Sequence, residues 1–359
     1  MWMFLFGVLP LLGLSYVLWH VWHVLPLANF WRWLVVVVGV LFFLSMFAGF
    51  MGGLDRLPLN GGTVGYETGN SVLFILLYLF MIFLVLDLGR LVHLVPRQWL
   101  FCNMYTSIAV LLFMVGVFTY GNLHYYNKVR VPLFLDSHQK VSKPQKIVLL
   151  SDLHLGYHNR RAELHRWVDK INAEKPDLIL IAGDIIDMSI RPLLEENMAG
   201  EFHRLKVPVV ACLGNHEFFS GLSQARDFYR EAGITLLRDS VVTVGDIVVV
   251  GREDRSNPQR KSLQDIMQSV PSGKYTILLD HQPYHLEEAE QADIDFQFSG
   301  HTHRGQVWPI SWVTDALYED SWGPLQKGNT QYYVSSGIGI WGGKFRIGTQ
   351  SEYVVATVK

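Results

Sequence analysis

Long apolar runs fill the first third of the chain. Four of them cover residues 3–22, 33–53, 68–86 and 99–127, and each is bounded by charge, Pro, Gly or Asn. Crossing the hydrocarbon core of a bilayer takes roughly 20 mostly apolar residues, which each run supplies. Trp and Tyr lie near several of the ends, as is typical of membrane interfaces. The pattern therefore predicts four transmembrane helices within residues 1–127.

The apolar runs admit two other interpretations. A cleaved signal peptide would explain the first run, but that run has no basic region before it and no small-residue cleavage site. Buried helices of a soluble protein would explain all four, but four successive uncharged runs of this length argue against that reading. Membrane spans remain the favoured interpretation.

Beyond a linker predicted over residues 128–145, short apolar runs alternate with amphipathic segments. Residues 146–151 are typical of a buried strand, and apolar residues at helical spacing follow over 164–171. Further strand-like runs recur toward the end of the chain, with fewer helical segments between them. The pattern predicts an α/β domain over residues 146–359, in which two packed β-sheets are flanked by helices.

Charge follows the same division of the chain. Only seven of the 62 charged residues precede Lys128. The net charge of -2 and the pI near 6.7 provide no basic field, which argues against a nucleic-acid partner. Cys102 and Cys212 are typical of small buried residues and support no disulfide framework.

Side chains with metal-binding chemistry follow five of the predicted strands. The clusters are Ser151-Asp152-Leu153-His154, Gly183-Asp184-Ile185-Ile186-Asp187, Gly214-Asn215-His216-Glu217, Asp280-His281-Gln282 and Gly300-His301-Thr302-His303. Any one of them alone is more often a surface turn than a site. Because ligands bind at the carboxyl ends of strands in α/β sheets, we expect all five to converge.

The chemistry of these side chains indicates a divalent metal site. Residues two apart in an extended segment point the same way, so His301 and His303 form one pair of ligands, as do Asp152 and His154. Carboxylate oxygen and imidazole nitrogen suit Mn, Fe, Zn or Co, and the clusters contain no thiolate. The glycines that open three of the clusters allow a sharp turn at the strand end.

The order of the clusters resembles the calcineurin-like metallophosphoesterase superfamily. That pattern is Asp-x-His, Gly-Asp, Gly-Asn-His-Asp/Glu, a later His and Gly-His-x-His, and the resemblance covers residues 146–359. Finer agreement is with its membrane-attached bacterial branch, through Ser151-Asp-Leu-His-Leu-Gly156, Pro176-Asp-Leu-Ile-Leu-Ile-Ala-Gly-Asp184 and Tyr333-Val-Ser-Ser-Gly-Ile-Gly339. One departure is Arg304-Gly305, where that branch often has two glycines.

The resemblance implies two divalent metal ions, with Asp184 bridging them. One ion would be held by Asp152, His154, Asp184 and His303, and the other by Asp184, Asn215, His281 and His301. The catalytic His216 would lie over the phosphate, with Asp187 orienting it, and Glu217 would be structural. Arg304 is open to two readings, a contact with substrate phosphate or an exposed loop side chain.

The implied activity is metal-dependent hydrolysis of a phosphate ester or diester next to the membrane. A lipid or lipid-linked substrate is compatible with that position. Hydrolysis of an amide or lactam is disfavoured, because the His-x-His-x-Asp-His pattern of such enzymes is missing. A non-catalytic sensor or scaffold with the same fold is the remaining alternative, and the complete ligand set argues against it.

The charges of the connecting loops bear on orientation in the membrane. Arg90 and Arg97 lie between the third and fourth runs, with Arg32 on the same side, whereas Arg56, Lys128 and Arg130 lie on the other. The two sides carry three basic residues each, so the positive-inside rule barely discriminates between the orientations. A cytoplasmic position of the short loop near Arg97 is the orientation that we favour. We therefore expect an integral protein of a bacterial inner membrane, with the soluble domain outside the cytoplasm.

Overall fold

The computed structural model describes residues 9–50 and 52–359, apart from the side chains of residues 48–50. Two compact units result: a helical unit, Met1–Leu123 with Gly342–Lys344, and a sheet unit, His124–Trp341 with Phe345–Lys359. Residues 3–8 of the first predicted run lie outside the described residues. The five polar clusters all fall in the sheet unit.

The helical unit contains the predicted apolar helices. They are α1 (Leu9–Val24), α2 (Asn29–Phe50), α3 (Leu59–Leu91) and α4 (Met104–Tyr126), with 3-10 turns at Gly53–Arg56 and Arg97–Trp99. Residues 29–47 of α2 and the whole of α3 and α4 are long and apolar enough to cross a membrane.

The predicted count of four membrane helices is not confirmed within the described residues. The described part of α1 has 16 residues. At ~1.5 Å per residue it extends about 24 Å, which is short of the ~30 Å hydrocarbon core. Three helices of sufficient length are therefore shown, and α1 is a shorter apolar helix beside them.

Small residues allow α2 and α3 to approach closely. A Cβ added at Gly69 would lie 3.0 Å from the backbone of Met46, so a larger side chain there would push the helices apart. Such small-residue contacts are typical of helices packed in a membrane, where no hydrophobic effect drives their association. At the end of α3, the Asp87 carboxylate accepts a 2.7 Å hydrogen bond from Tyr16.

The sheet unit contains two packed β-sheets, as the sequence predicts, and each is a mixed sheet of six strands. In chain order the strands are β1 (Lys128–Leu135), β2 (Gln145–Leu150), β3 (Leu178–Ala182), β4 (Val209–Cys212), β5 (Thr235–Leu236), β6 (Ser240–Val244), β7 (Ile247–Gly251), β8 (Tyr275–Leu279), β9 (Phe296–Ser299), β10 (Gly323–Lys327), β11 (Thr330–Val334) and β12 (Ser351–Val358). The first sheet has the order β1-β12-β2-β3-β4-β5, and the second has the order β10-β11-β9-β8-β7-β6.

Helices pack on the outer faces of both sheets. On the first sheet lie α5 (Arg161–Glu174), α6 (Arg191–Glu195), α7 (Ala199–Phe202), α8 (His216–Phe219) and α9 (Leu222–Glu231), and on the second lie α10 (Leu263–Met267) and α11 (Glu287–Gln291). The last helix, α12 (Ile310–Leu317), packs with its first turn on the loop at Gly305. Side chains such as Leu149 and Ile277 form the core between the sheets, whereas Trp167 of α5 and Phe228 of α9 pack on the outer face of the first sheet. This burial fixes the strand register and hence the strand ends.

Strand β1 lies inside the segment that the sequence analysis assigns to a linker, residues 128–145. It pairs in parallel with β12 along its whole length. Side chains at alternate positions, such as Val131 and Leu133, pack against the core between the sheets. Pro132 fits there because β1 is an edge strand, where a missing N–H costs no ladder hydrogen bond.

Candidate metal centre

The five polar clusters emerge at the carboxyl ends of five parallel strands. They follow β2, β3 and β4 in the first sheet and β8 and β9 in the second. The two sheets pack face to face, so their strand ends bring the clusters together. Three overlapping groups of side chains result, and within each group the ligand atoms lie within 4.8 Å of one another. The groups are Asp152 with His154 and His303, His154 with Asp184 and His216, and Asp184 with His281 and His301.

The first group places two imidazoles and a carboxylate around one point. The Nε2 atoms of His154 and His303 are 3.0 Å apart. The Oδ1 atom of Asp152 lies 3.9 Å from the first of these nitrogens and 3.6 Å from the second. Two imidazole nitrogens facing each other beside a carboxylate form a donor set that suits a divalent cation.

Asp184 belongs to both of the other groups. Its Oδ2 atom lies 3.1 Å from Nε2 of His281 and 3.6 Å from Nε2 of His154, so this carboxylate touches both groups. Its Oδ1 atom accepts a 2.9 Å hydrogen bond from the His216 backbone N–H. Asp184 therefore occupies the position from which one carboxylate can serve two ions.

Asn215 supplies a further observation that fits a cation. It directly precedes His216 at the start of α8, and its Oδ1 atom is buried with no hydrogen-bond partner among the described residues. A buried amide oxygen without a partner costs ~1–3 kcal/mol. A ligand that binds this oxygen would remove that cost, so the residues present fit the group that the sequence predicts.

Five of the predicted ligands have a left-handed backbone. The φ angles are 54° at Asp152, 45° at His154, 51° at Asp184, 72° at His301 and 47° at His303. Each such conformation costs on the order of 1–3 kcal/mol for a residue with a side chain. The surrounding fold must therefore hold these turns in place, and it does so through backbone hydrogen bonds such as that from the N–H of His154 to the carbonyl of Asp184, at 2.9 Å.

Glycines keep the strand ends close together. A Cβ at Gly214 would lie 2.1 Å from Oδ1 of Asp184, and a Cβ at Gly300 would lie 2.3 Å from Oδ2 of Asp152. At Gly337, where φ is 87°, a Cβ would lie 2.8 Å from the Asp152 Cβ. These three positions have no room for a side chain beside the candidate ligands.

Asp187 contacts two histidines at once. Its Oδ1 atom lies 3.1 Å from Nδ1 of His154 and also 3.1 Å from Nδ1 of His216. The resemblance implies only the contact with His216. The structure places the same oxygen beside a candidate metal ligand as well, so one carboxylate orients both rings with their Nε2 atoms directed elsewhere.

We expect Asp187→Asn to lower the affinity for divalent metal by ~10- to 100-fold, the usual effect of losing a carboxylate that orients a histidine ligand. Isothermal titration of Mn²⁺ into the metal-free full-length chain measures this change. Asp227→Asn, on the exposed face of α9, is the matched control and should bind Mn²⁺ as the wild type does. Equal affinities of all three proteins would contradict the role assigned to Asp187.

The charges of the site separate its histidines into two kinds. Burial lowers the pKa of His216, but Asp184 and Asp187 outweigh that effect and raise it to about 9. Burial, together with the neighbouring His281, lowers the pKa of His301 to about 4. Burial likewise lowers the pKa of His281, but Asp184 raises it well above its ordinary value. His301 is therefore neutral near neutral pH and suited to bind a metal, whereas His216 and His281 hold a proton while no cation lies beside Asp184.

Glu217 holds two of the ligand loops together. Its buried carboxylate accepts hydrogen bonds from the backbone N–H groups of Gly214 at 2.8 Å, Ile186 at 3.0 Å and Asp184 at 3.2 Å. The hydroxyl of Tyr229 in α9 donates a fourth at 3.0 Å. These contacts support the structural role that the sequence analysis assigns to Glu217.

Replacing Glu217 with Ala should lower the free energy of unfolding by about 3 kcal/mol or more, because buried donors lose their acceptor. Glu217→Gln keeps one acceptor oxygen and should cost less. Thermal unfolding of the two variants, with the exposed Glu195→Ala as control, tests the ranking. Equal melting temperatures for Glu217→Ala and the wild type would show that the carboxylate is dispensable.

Arg346 is a site-forming residue that sequence reasoning missed. Its guanidinium is fully buried and donates to the carbonyl oxygens of His303 at 2.7 Å, of Gly339 at 3.2 Å and of Ser336. Burial lowers its pKa to about 10, which leaves it charged at neutral pH. No motif marks this position, because its partners are main-chain groups that the fold brings together.

Arg304 lies at the edge of the candidate site. Its guanidinium carbon is 4.1 Å from the centre of the Trp322 ring, and its backbone has a φ of 48° directly after His303. Stacking on Trp322 holds the side chain in the loop. A contact between Arg304 and substrate phosphate stays a prediction.

Comparison with known proteins is consistent with this geometry. Residues 145–305 match the family described as Calcineurin-like phosphoesterase. The chain is also 30% identical over 264 residues to a metallophosphoesterase of Aquifex aeolicus, a match that covers 70% of this chain and 98% of the relative. The chain belongs to the metallophosphoesterase family. The resemblance inferred from the five clusters is thereby confirmed.

Other metallophosphoesterases match over a smaller share of their length. One from Helicobacter pylori strain J99 is 32% identical over 238 residues, covering 62% of this chain and 60% of the relative. A Bos taurus protein named transmembrane protein with metallophosphoesterase domain is 29% identical over 227 residues, covering 58% of this chain and 51% of the relative. The apolar helices and this transmembrane relative together indicate a membrane protein.

Proposed function

We propose that this chain is a membrane-anchored hydrolase of phosphate esters or diesters that works with two divalent metal ions. The observation that carries the proposal is the position of Asp184, whose carboxylate lies within 3.6 Å of one ligand group and 3.1 Å of the other. Family membership supplies the reaction class. The three overlapping groups of candidate ligands supply the place where it would occur.

The proposed ligand sets are those that the resemblance implies. Asp152, His154, Asp184 and His303 would hold one ion, and Asp184, Asn215, His281 and His301 would hold the other. When bound, a pair of divalent ions supplies a water of lowered pKa and positive charge for the phosphoryl oxygens. Oxygen and nitrogen ligands suit Mn, Fe or Zn, and we place Mn first among the metals to test.

His216 is the proposed general acid. Asp184 and Asp187 raise its pKa to about 9, and Asp187 would continue to favour the protonated ring when Asp184 binds metal. The Oδ1 atom of Asp187 lies 3.1 Å from Nδ1 of His216 as an ion pair, which leaves Nε2 as the atom that would give a proton to the departing alkoxide. The carboxylate of Asp187 remains ionised in this role, because its hydrogen bonds from His154 and His216 outweigh burial and hold its pKa far below the ordinary value.

The apolar and polar parts of the chain would have different roles. Residues 1–127 would anchor the protein and residues 146–359 would carry the reaction, while β1, within the predicted linker at residues 128–145, belongs to the sheet unit. Arg90 in the last turn of α3 and Arg97 in the connection to α4 would place that loop on the cytoplasmic side, and a bacterial inner membrane is the proposed location. The sheet unit would then act outside the cytoplasm on a phosphoester, and a lipid-linked one is compatible with this position.

Hydrolysis of two chromogenic substrates by the full-length chain in detergent tests the proposal. Bis(p-nitrophenyl) phosphate reports diester cleavage and p-nitrophenyl phosphate reports monoester cleavage, each with added Mn²⁺ and with a chelator. We expect turnover that the chelator abolishes and Mn²⁺ restores. A metal-loaded, folded chain that hydrolyses neither substrate would favour a non-catalytic sensor or scaffold instead.

A further inference from the structure

Helix α12 presents its apolar side chains to solvent. Trp312 is 64% exposed, Val313 is 55% exposed and Leu317 is 69% exposed, whereas Ser311 is buried. The three apolar residues share one face of the helix with Ala316, because residues three and four apart lie side by side, and Ser311 lies on the opposite face. A helix on a soluble domain normally has the reverse arrangement, with its apolar face in the core.

Trp308 extends the same apolar surface. It lies just before α12, is 41% exposed, and its ring centre is 5.3 Å from that of Trp312. We call Trp308, Trp312, Val313 and Leu317 the α12 patch. A contiguous exposed apolar surface on a domain marks a place where something else binds.

Both ends of α12 contact the candidate metal centre. At its start, a Cβ at Gly305 would lie 2.5 Å from the backbone of Ile310 and Ser311, so the loop that carries His303 packs directly on the first turn. Just past its end, the Tyr318 ring centre lies 6.3 Å from that of His301. Whatever binds the α12 patch is therefore brought next to the candidate ligands.

The chain itself indicates what covers the patch. Helix α4 is long and apolar enough to cross a membrane and ends at Tyr126, and β1 of the sheet unit begins at Lys128. With one residue between them, the sheet unit cannot leave the neighbourhood of the bilayer, which keeps the effective concentration of membrane surface high. Tryptophan with aliphatic side chains is also the composition that favours the membrane–water interface.

We propose that the α12 patch inserts into the interface of the bilayer that anchors the chain. Docking there would bring lipid head groups beside His301 and His303, and the substrate would be a phosphoester carried by a membrane lipid. The statement about substrate rests on the proposed function. The docking proposal rests only on the exposed apolar face of α12 and on the single residue between α4 and β1.

An environment-sensitive label on the patch tests the docking without any enzyme assay. The full-length chain with Cys102→Ser and Val313→Cys is labelled with the fluorophore NBD and reconstituted into phosphatidylcholine nanodiscs at one chain per disc. Cys212 stays unlabelled because it is fully buried. We expect a blue-shifted emission, quenching by doxyl-labelled lipid and loss of quenching by aqueous iodide.

Ser272→Cys is the matched control for this label. Ser272 is exposed and precedes the amino end of β8, whereas the clusters follow the carboxyl ends of the strands. Its label should remain accessible to iodide and out of reach of the lipid quencher. Equal behaviour of the two labels would overturn the docking proposal, as would protection of residue 313 that appears only when several chains share a vesicle, since a second copy would then be the occupant.

The substrate statement has its own test. Trp312→Ser with Val313→Ser should lose turnover of a p-nitrophenyl phosphodiester lipid in phosphatidylcholine vesicles, while bis(p-nitrophenyl) phosphate in solution is hydrolysed at the wild-type rate. Equal loss on both substrates would contradict a docking role. Failure of the wild type on both would count against the proposed function and leave the label result, and hence the docking proposal, unaffected.

Discussion

Replacing Asp184 with Asn should lower metal-dependent phosphoester turnover by ~1000-fold or more, because a loss of about 4 kcal/mol of charge stabilisation corresponds to that factor. The carboxylate touches both ligand groups, at 3.1 Å from His281 and 3.6 Å from His154. The neutral amide keeps the shape of the side chain and removes the charge. Metal analysis of the purified variant should show less bound metal than in the wild type.

The size of this effect separates Asp184 from its neighbours. Asp187→Asn changes a residue that acts through His154 and His216, so its turnover should fall less than that of Asp184→Asn. Both variants should keep the wild-type fold by circular dichroism. An Asp184→Asn chain with full metal content and wild-type turnover would remove Asp184 from the site.

His216→Ala should lose ~100- to 10,000-fold of turnover on an alkyl phosphoester, the usual contribution of a general acid. Asp184 and Asp187 raise the pKa of its side chain to about 9, and Asp187 orients the ring at 3.1 Å. The proposed ligand sets do not include His216, so the variant should bind Mn²⁺ as the wild type does. Kinetics on paired substrates, with metal content measured in parallel, checks both statements.

The leaving group distinguishes acid catalysis from a structural effect of the same substitution. p-Nitrophenolate leaves without a proton, so His216→Ala should lose much less turnover on a p-nitrophenyl ester than on an alkyl ester. His165→Ala, on the exposed face of α5, is the control histidine. Equal losses on the two leaving groups would assign His216 to positioning or binding rather than to proton transfer.

The sequence predicted which polar clusters lie at strand ends, because strand ends are local features. Each of the five clusters directly follows an apolar run, and the carboxyl ends of parallel strands meet whatever the details of the loops. The pairing of Asp152 with His154 needs only a short extended segment. The convergence of Asp184 with His281, which are 97 positions apart in sequence, needed the sheet-on-sheet core to bring β3 and β8 together.

The features that escaped prediction depend on distant parts of the chain. Strand β1 has the alternating pattern of an edge strand, but Pro132 interrupts it, and only pairing with β12 reveals its place. Arg346 binds main-chain carbonyls, which carry no sequence signal. The outward apolar face of α12 is likewise a property of packing, since its spacing alone would predict burial against the core.

Titration of the metal-free full-length chain with Mn²⁺ tests the central claim most directly. Bound metal and turnover of bis(p-nitrophenyl) phosphate are measured on the same samples as metal is added. We expect turnover to rise with metal and to level off at about two ions per chain, as a two-metal site requires. Turnover that persists in the metal-free chain, or that saturates with no metal bound at the site of Asp184, would contradict the account.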